Sequence, residues 1–357
     1  MPKVHNYSAG PCILPQEVLK QAAEAVVNFN DLNLSLLEIS HRSKDFVEVM
    51  ENARELVKEL LDVPEGYQVL FLQGGASLGF LIAAYNFLPL GEKAAYIDTG
   101  TWANNAIKEA QRLGDVVEVA SSKDKNYSYI PSGFGIPNDA KYLHFTSNNT
   151  IFGTQFKKTP ISRIPVICDM SSDIFSKKIK VSDYDLIYAG AQKNMGPAGT
   201  TVYIVKENAL GKTGNNIPAM LDLQTHIKKD SMFNTPSVYP IYVSMLNLKW
   251  LKKNGGVSWI ENINYKKAEL LYNEVDRNPL FEGVTAKADR SNMNATFILK
   301  DEILAEEFNK SWVAANISGI KGHRSVGGYR ASMYNALPLE SVQVLVDVMK
   351  ALENNHR

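Results

Sequence analysis

The sequence predicts an α/β protein with a mainly parallel sheet, followed by a smaller α+β unit. Before Pro240, short apolar runs alternate with segments of helical periodicity, which is typical of strands joined by crossovers. The chain has 357 residues, and a single core seldom grows past about 250 to 300 residues, so two domains are expected. Its 45% apolar and 21% charged residues are typical of an ordinary globular protein.

Two helices are predicted ahead of the first strand of the sheet. Pro15 stands where a first-turn proline is favoured, and apolar residues then recur at helical spacing. These residues are Val18, Ala22, Ala25, Val26 and Phe29. The second helix is predicted from the same spacing in Phe46, Met50, Ala53, Val57 and Leu60.

The strands of the sheet are predicted from short apolar runs. These runs lie at residues 69–72, 94–97, 116–119, 142–145, 165–168, 186–188 and 201–205. The first run belongs to a stretch, 66–91, that carries no formal charge and is long enough to cross a bilayer. Because Gln73, Asn86 and Pro89 interrupt this stretch, we predict a strand, a glycine turn and a buried helix there.

Beyond Pro240 the pattern changes to longer helices and fewer strands. We expect helices at 245–251, 259–275, 302–315 and from residue 339 onward, and strands at 295–299 and within 326–333. The Gly255-Gly256 break suggests a large domain of residues 16–255 and a small domain of residues 1–15 and 256–357. The first 15 residues are too few to form a domain and are expected to pack on the small one.

Charge and cysteine content limit the possible classes of function. The 38 Lys+Arg balance 38 Asp+Glu, so the chain lacks the basic surplus of a nucleic-acid or membrane-surface binder. Cys12 and Cys168 show no Cys/His ligand spacing, so we expect neither a disulfide framework nor a metal site. The N-terminal residues lack the apolar core of a signal peptide, which makes the cytoplasm the expected compartment.

The glycine motifs do not indicate a nucleotide-binding loop. Gly211-Lys-Thr213 resembles the end of a P-loop, but Lys206 stands where that loop requires glycine. No GxGxxG motif follows an early strand. Gly74-Gly75 opens a helix, which suits either a phosphate held on backbone N–H groups or a tight strand-to-helix turn.

The segment around Lys193 is the strongest single indication of chemistry. Lys193 follows a short apolar strand and is flanked by small residues, glycine and proline between Ala189 and Gly199. A lysine in a loop is usually a solvated surface group. With space left around it, however, the amine can form a Schiff base with pyridoxal 5′-phosphate (PLP), whose ring then serves as an electron sink.

A PLP enzyme needs further groups, and other strand ends supply candidates. Asp169 closes a strand and could keep the pyridine nitrogen protonated, or serve as a turn or helix-cap residue. Trp102 also follows a strand and could stack on the pyridine ring, or belong to the core. Ligands of open α/β sheets collect at the carboxyl ends of strands. Lys193 and the Gly74-Gly75 turn follow strands, as Asp169 and Trp102 do. We therefore expect all four features at the same edge of the sheet, and this shared location favours a PLP site.

Five segments of the chain carry a resemblance to a known family. They are Asn6-Tyr-Ser-Ala-Gly-Pro11, Ser40-His-Arg42, Gly190-Ala-Gln-Lys-Asn-Met-Gly-Pro-Ala-Gly199, Ser231-Met-Phe-Asn-Thr-Pro236 and Lys321-Gly-His-Arg-Ser-Val-Gly-Gly-Tyr-Arg-Ala-Ser332. These segments resemble the phosphoserine aminotransferase family, and the likeness runs nearly end to end. The lysine segment is shared by the wider aspartate-aminotransferase-like fold (fold type I), whereas the His-Arg segments are specific to this family. The resemblance implies a seven-stranded sheet and a homodimer with shared active sites.

The reaction implied by the resemblance is a reversible transamination. L-Glutamate and 3-phosphohydroxypyruvate give 2-oxoglutarate and O-phospho-L-serine, a step of L-serine biosynthesis. Bacterial members commonly use 4-phosphohydroxythreonine as well, in vitamin B6 biosynthesis.

The resemblance also implies a role for each candidate residue. Lys193 is the Schiff-base lysine and later the proton carrier, and Asp169 is the partner of the pyridine nitrogen. The other cofactor contacts are Ala76, Ser77, Trp102, Thr150 and Gln192, with Asn234 and Thr235 reaching in from the other subunit. The substrate's phosphate or side-chain carboxylate is assigned to His41, Arg42, His323 and Arg324, and its α-carboxylate to Arg330.

The two His-Arg pairs indicate anion binding even without the family. A guanidinium grips phosphate or carboxylate with two parallel hydrogen bonds, and a neighbouring histidine adds another donor. One pair alone would be typical of a solvated surface cluster.

The chain departs from the family pattern at two places. Many members carry Gly-Arg in place of Ala76-Ser77, and serine in place of Ala9. We expect altered cofactor or substrate affinity without a change of reaction.

Other functions fit the sequence less well. A cysteine desulfurase needs a reactive cysteine beyond Lys193, and none follows Cys168. A serine–pyruvate or alanine–glyoxylate aminotransferase stays open, although it would have little use for the His-Arg donors. A nucleotide-dependent dehydrogenase lacks its GxGxxG motif, and a noncatalytic binding protein would not need Lys193.

Overall fold

The computed structural model describes residues 3–356, in which helices and strands alternate. The helices of these residues are α1 (Gln16–Val27), α2 (Lys44–Leu61), α3 (Gly75–Phe87), α4 (Thr101–Ala110), α5 (Leu223–Lys228), α6 (Val238–Lys253), α7 (Gly256–Arg277), α8 (Ala305–Ala314) and α9 (Leu339–Asn355). The strands are β1 (His5–Asn6), β2 (Tyr67–Leu72), β3 (Lys93–Asp98), β4 (Asp115–Ser121), β5 (Ala140–Thr146), β6 (Asn148–Asn149), β7 (Thr154–Gln155), β8 (Val166–Asp169), β9 (Leu186–Gly190), β10 (Thr201–Lys206), β11 (Phe281–Gly283), β12 (Asn294–Leu299), β13 (Ile317–Ser318) and β14 (Tyr329–Ser332).

A seven-stranded sheet forms the centre of the chain, in the order β2-β10-β9-β8-β5-β3-β4. Only β10 runs antiparallel to its neighbours, and the pairs from β9 through β4 are parallel. Each apolar run predicted before Pro240 is a strand of this sheet. The predicted α/β class and mainly parallel sheet are therefore confirmed.

Helices cover both faces of this sheet because successive strand residues point to opposite sides. In β2, Val69 and Phe71 belong to the apolar cluster that contains α1, α2 and α6 residues. Leu70 and Leu72 belong to the cluster on the other face, with α3 and α4. A sheet buried on both faces directs its functional residues to the strand ends.

The uncharged stretch 66–91 has the predicted strand-turn-helix form, with β2 followed by α3. A search of residues 3–356 finds no helix that is both long and apolar enough to span a membrane.

Two local predictions of helix starts were wrong. Pro15 precedes α1 with extended φ and ψ and does not lie in its first turn. The helix predicted at 302–315 begins instead with a separate 3₁₀ turn, Glu302–Leu304, where Asp301 caps the Ile303 N–H.

The elements after α6 build a separate apolar cluster around a three-stranded sheet, β11-β12-β14. The N-terminal segment joins this cluster: β1 pairs with β13, and the buried Tyr7 hydroxyl donates to the Ser341 carbonyl at 2.6 Å. Lys267 of α7 is fully buried and donates to three backbone carbonyls at 2.8 to 3.1 Å. Burial lowers the pKa of Lys267 to about 7.

Candidate active site

A cleft of about 320 Å³ lies at the carboxyl ends of the parallel strands. The predicted site residues that line it are Ala76, Ser77, Trp102, Thr150, Asp169, Gln192, Lys193, His323 and Arg330. They come from distant parts of the chain because β2, β3, β5, β8 and β9 all end at this edge. The structure thus brings together nine of the residues selected from the sequence.

Lys193 lies in the turn after β9 and extends into the cleft. Its Nζ donates to Thr150 Oγ1 at 2.9 Å and lies 5.8 Å from the centre of the Trp102 ring. Burial lowers the pKa of Lys193 to about 8, although the negative charge of Asp169 opposes this shift. A large share of the amine is therefore neutral at mildly alkaline pH, the form in which an amine acts as a nucleophile.

Asp169 ends β8 and is buried beside the cleft. Burial raises its pKa, whereas hydrogen bonds from Ser171 and the charge of Lys193 act in the opposite direction. The Ser171 N–H and hydroxyl donate to Asp169 Oδ1 at 2.9 and 2.6 Å. The turn after β8 therefore orients a buried carboxylate toward the cleft. Ser171 was not predicted as a site residue, although its position directly after the strand-end aspartate is a usable signal.

The N-terminus of α3 borders the same cleft through Gly75, Ala76 and Ser77. Gly74 precedes it with φ +98°, and a Cβ there would lie 2.5 Å from Leu78, so the turn requires glycine. The first N–H groups of a helix have no intrahelical acceptor and favour an anion. The interpretation of Gly74-Gly75 as a tight turn is therefore confirmed, and the first residues of α3 border the cleft. That their N–H groups hold a phosphate stays a prediction.

Arg330 and His323 line the side of the cleft formed by residues after α8. Arg330 Nη1 donates to the Thr150 carbonyl at 3.4 Å, while its buried Nε makes no hydrogen bond within residues 3–356. The buried Nε1 of Trp102 is likewise unpaired in this part of the chain. Buried donors without acceptors are costly, and a bound ligand with acceptor oxygens would satisfy them.

Five predicted residues do not line the cleft of their own chain: His41, Arg42, Asn234, Thr235 and Arg324. Arg42 and Arg324 are exposed. Asn234 Nδ2 donates to Gln73 Oε1 at 3.0 Å, and Gln73 Nε2 donates to the Thr235 carbonyl at 2.8 Å. Asn234 and Thr235 thus lie against the residue that precedes the Gly74-Gly75 turn.

Further lining residues were not predicted from the sequence, and most are small or polar: Gly10, Thr146, Asn148, Ile151, Ser171 and Ser172. Gly10 packs closely against the lysine side chain, because a Cβ at Gly10 would lie 3.3 Å from Lys193 Cγ. The neighbouring Ala9, one of the two departures from the family pattern, also lines the cleft. The Tyr334 hydroxyl holds it by donating to the Ala9 carbonyl at 2.8 Å.

The groups that surround the cleft fit PLP. A partly neutral amine for covalent attachment, a buried carboxylate, a tryptophan ring and a helix N-terminus surround one cleft. Together they match the aldehyde, the ring nitrogen, the ring face and the phosphate of the cofactor. Across residues 3–356, no group of three or more His, Cys, Asp or Glu side chains is arranged to hold a metal ion.

The chain matches the family described as aminotransferase class-V over residues 4–345. It is 66% identical to the phosphoserine aminotransferase of Flavobacterium psychrophilum over 353 residues, which cover 99% of this chain and 99% of the relative. The solved phosphoserine aminotransferase of Bacillus circulans subsp. alkalophilus superposes with a TM-score of 0.96, at 42% identity and 99% coverage of each chain. The PLP-bound enzyme of Trichomonas vaginalis superposes with a TM-score of 0.92, at 34% identity, over 98% of this chain and 100% of that one. These superpositions confirm the predicted aspartate-aminotransferase-like fold.

Proposed function

Because the chain belongs to the class-V aminotransferase family, we propose that it transfers the amino group of L-glutamate to 3-phosphohydroxypyruvate, giving 2-oxoglutarate and O-phospho-L-serine. The enzyme is a PLP-dependent aminotransferase. The observation that carries the proposal is the cleft itself, where Lys193, Asp169 and Arg330 meet beside the α3 N-terminus. Relatives named phosphoserine aminotransferase align with the chain nearly end to end, which supports the proposal.

Each residue would have a distinct task in this reaction. PLP supplies an electron sink for the bond-breaking step at the α-carbon. Lys193 would hold the cofactor and, once released from it, move a proton between the substrate's α-carbon and the cofactor's aldehyde carbon. Asp169 would hold a proton at the ring nitrogen, and Trp102 would pack against the ring. Arg330 would orient the α-carboxylate of either amino acid substrate.

The phosphate of the substrate would be bound by the two His-Arg pairs. His323 already lines the cleft, whereas His41, Arg42 and Arg324 do not. We therefore propose a homodimer in which residues of the partner subunit complete each site, including Asn234 and Thr235 at the cofactor phosphate. The family resemblance supports this arrangement, as does the absence of five predicted residues from the cleft of their own chain.

Mixed dimers test the shared site. A dimer of one Lys193→Ala and one Asn234→Ala subunit would have one site with both defects and one with neither. If both parent variants are inactive, random mixing should restore about a quarter of the parental activity, because half of the dimers are mixed. Activity after unfolding and refolding an equimolar mixture measures this. Residual activity that is only the average of the two variants would contradict sharing.

Substrate preference tests the proposed reaction. We expect phosphoserine to be strongly preferred to serine and alanine, which offer no anion to the His-Arg donors. Each charge-assisted hydrogen bond contributes about 1.5 to 3 kcal/mol, or about 10- to 150-fold. Arg42→Ala and Arg324→Ala should therefore each raise the KM for phosphoserine at least about tenfold with PLP retained. Arg330→Ala should impair glutamate and phosphoserine alike, because both carry an α-carboxylate.

Initial rates with phosphoserine, serine and alanine measure this substrate preference. Equal kcat/KM for serine and phosphoserine would contradict the proposed reaction while leaving the class-V aminotransferase assignment intact. Lys300→Ala is a suitable control, since this lysine is exposed and lies outside the cleft.

We also propose that residues 16–255 and the two segments 1–15 and 256–357 form separate domains. The separate apolar cluster that joins Tyr7 to residues after α6 supports this division. Cys12 and Cys168 are both unpaired thiols, which supports a reducing compartment such as the cytoplasm.

A further inference from the structure

A second cleft lies directly behind the active site. It has a volume of about 210 Å³ and is lined by Ser147 and Asp173, among others. Ser147 stands between Thr146 and Asn148, which line the active site. Asp173 directly follows Ser172, another active-site residue. The two clefts therefore share one wall and lie on opposite sides of it.

Positive charge dominates this second cleft, which we call the lysine cleft. Five lysines line it, at positions 157, 158, 177, 178 and 180, against only two carboxylates, Asp173 and Glu261. Lys177 lies 3.5 Å from Asp173, and Lys180 lies 3.5 Å from Asp183. The other three lysines make no ion pair within residues 3–356. Five ammonium groups against two carboxylates leave this cleft with an excess of positive charge, which favours an anion.

The lowered pKa of Lys157 reflects its burial and the repulsion between positive charges in this cleft. Lys157 Nζ donates to the Arg290 carbonyl at 2.5 Å, which holds the amine in place. Burial and the positive charge of Lys177 lower the pKa of Lys157 to about 8. Lysines of two separate chain segments line this cleft, and a bound anion would offset the repulsion between Lys157 and Lys177.

We propose that the lysine cleft binds a compact phosphate-type dianion at a site distinct from the active site. Its volume is below the roughly 300 Å³ at which sites for larger organic ligands begin, which favours a small ion. Lysine ammonium groups act as point-charge donors to phosphate. The Tyr184 hydroxyl, 2.7 Å from Thr159 Oγ1, adds a polar pair to the lining. This proposal does not depend on which amino acid the enzyme transaminates.

Site-resolved acetylation of the PLP-loaded protein tests the proposal. Acetic anhydride reacts with neutral amines, so at pH 8 Lys157, with its lowered pKa, should react faster than a lysine of ordinary pKa. Inorganic phosphate should slow the acetylation of Lys157, relative to chloride at the same ionic strength. At about ten times the dissociation constant for phosphate, the rate should fall about tenfold, because only the free site reacts. Mass spectrometry of peptides separates this lysine from those near the active site.

Two double variants make the test specific. Lys158→Gln/Lys178→Gln removes two exposed, unpaired charges from the cleft and should abolish the phosphate-dependent protection. Lys300→Gln/Lys350→Gln removes two exposed lysines elsewhere and should leave it unchanged. Equal acetylation of Lys157 in phosphate and chloride would overturn the proposal. Protection that persists in Lys158→Gln/Lys178→Gln would overturn it as well, since phosphate would then act from another site.

Discussion

Replacing Lys193 by alanine should abolish transamination and leave the fold intact. The side chain projects into a cleft and, among residues 3–356, makes a single side-chain hydrogen bond, to Thr150, so its loss removes an amine without opening an apolar core. General acid–base catalysis alone contributes about 10²- to 10⁴-fold, and the covalent attachment of PLP is lost as well. We therefore expect kcat to fall below about one thousandth of the parental value.

Three measurements examine this prediction. Circular dichroism should match the parent, which separates loss of chemistry from loss of fold. Borohydride should attach PLP irreversibly to Lys193 in the parent, as mapped by peptide mass spectrometry, and attachment to a different lysine would overturn the assignment. Lys193→Arg is the matched control: it keeps a cation of similar length but no nucleophilic amine, so it should be as inactive as Lys193→Ala.

The lowered pKa of Lys193 also sets a pH dependence. Burial lowers it from 10.5 to about 8, so the neutral amine accumulates as the pH rises through about 8. The rate of PLP attachment to the cofactor-free protein should rise over this range and then level off. For a solvent-exposed lysine the same rise would come near pH 10.4. A rate that keeps increasing to that pH would show that the amine is not desolvated in solution.

The sheet and its strand-end residues were predictable because they depend on local patterns. A strand buried on both faces appears in the sequence as an apolar run, and a parallel sheet directs its strand ends to one edge. Lys193, Asp169 and Trp102 follow such runs, so their meeting followed from topology. The wrong boundaries, at Pro15 and in the segment 302–315, depend instead on φ and ψ at single residues and on the Asp301 cap.

What could not be predicted depends on contacts between residues far apart in sequence. The hydrogen bonds of Ser171 to Asp169 are local, but the closure of Gly10 over Lys193 joins the N-terminus to the turn after β9. The lysine cleft arises in the same way, because segments 157–158 and 177–180 are unremarkable charge runs until the fold places them around one space. Their proximity depends on loop paths that no periodicity encodes.

Replacing Asp169 by asparagine should slow turnover by about 10²- to 10⁴-fold while PLP stays bound, since breaking a buried charge pair costs about 3 to 5 kcal/mol. The amide has the same shape, and its oxygen can still accept the hydrogen bonds that Ser171 donates to Oδ1. Only the negative charge is lost, so the proton at the ring nitrogen of PLP would lose its partner. The same charge raises the pKa of Lys193, so removing it should shift that pKa further down.

A combined kinetic and pH measurement distinguishes this role from a structural one. Asp169→Asn should show reduced kcat with an intact PLP absorption spectrum, and its pH profile for PLP attachment should move to lower pH. Asp98→Asn serves as the matched control, because Asp98 is also buried at the end of a parallel strand but does not line the cleft. It is expected to keep the parental pH profile. Near-parental turnover in Asp169→Asn would remove Asp169 from the mechanism, because a neutral amide cannot replace a carboxylate beside a protonated ring nitrogen.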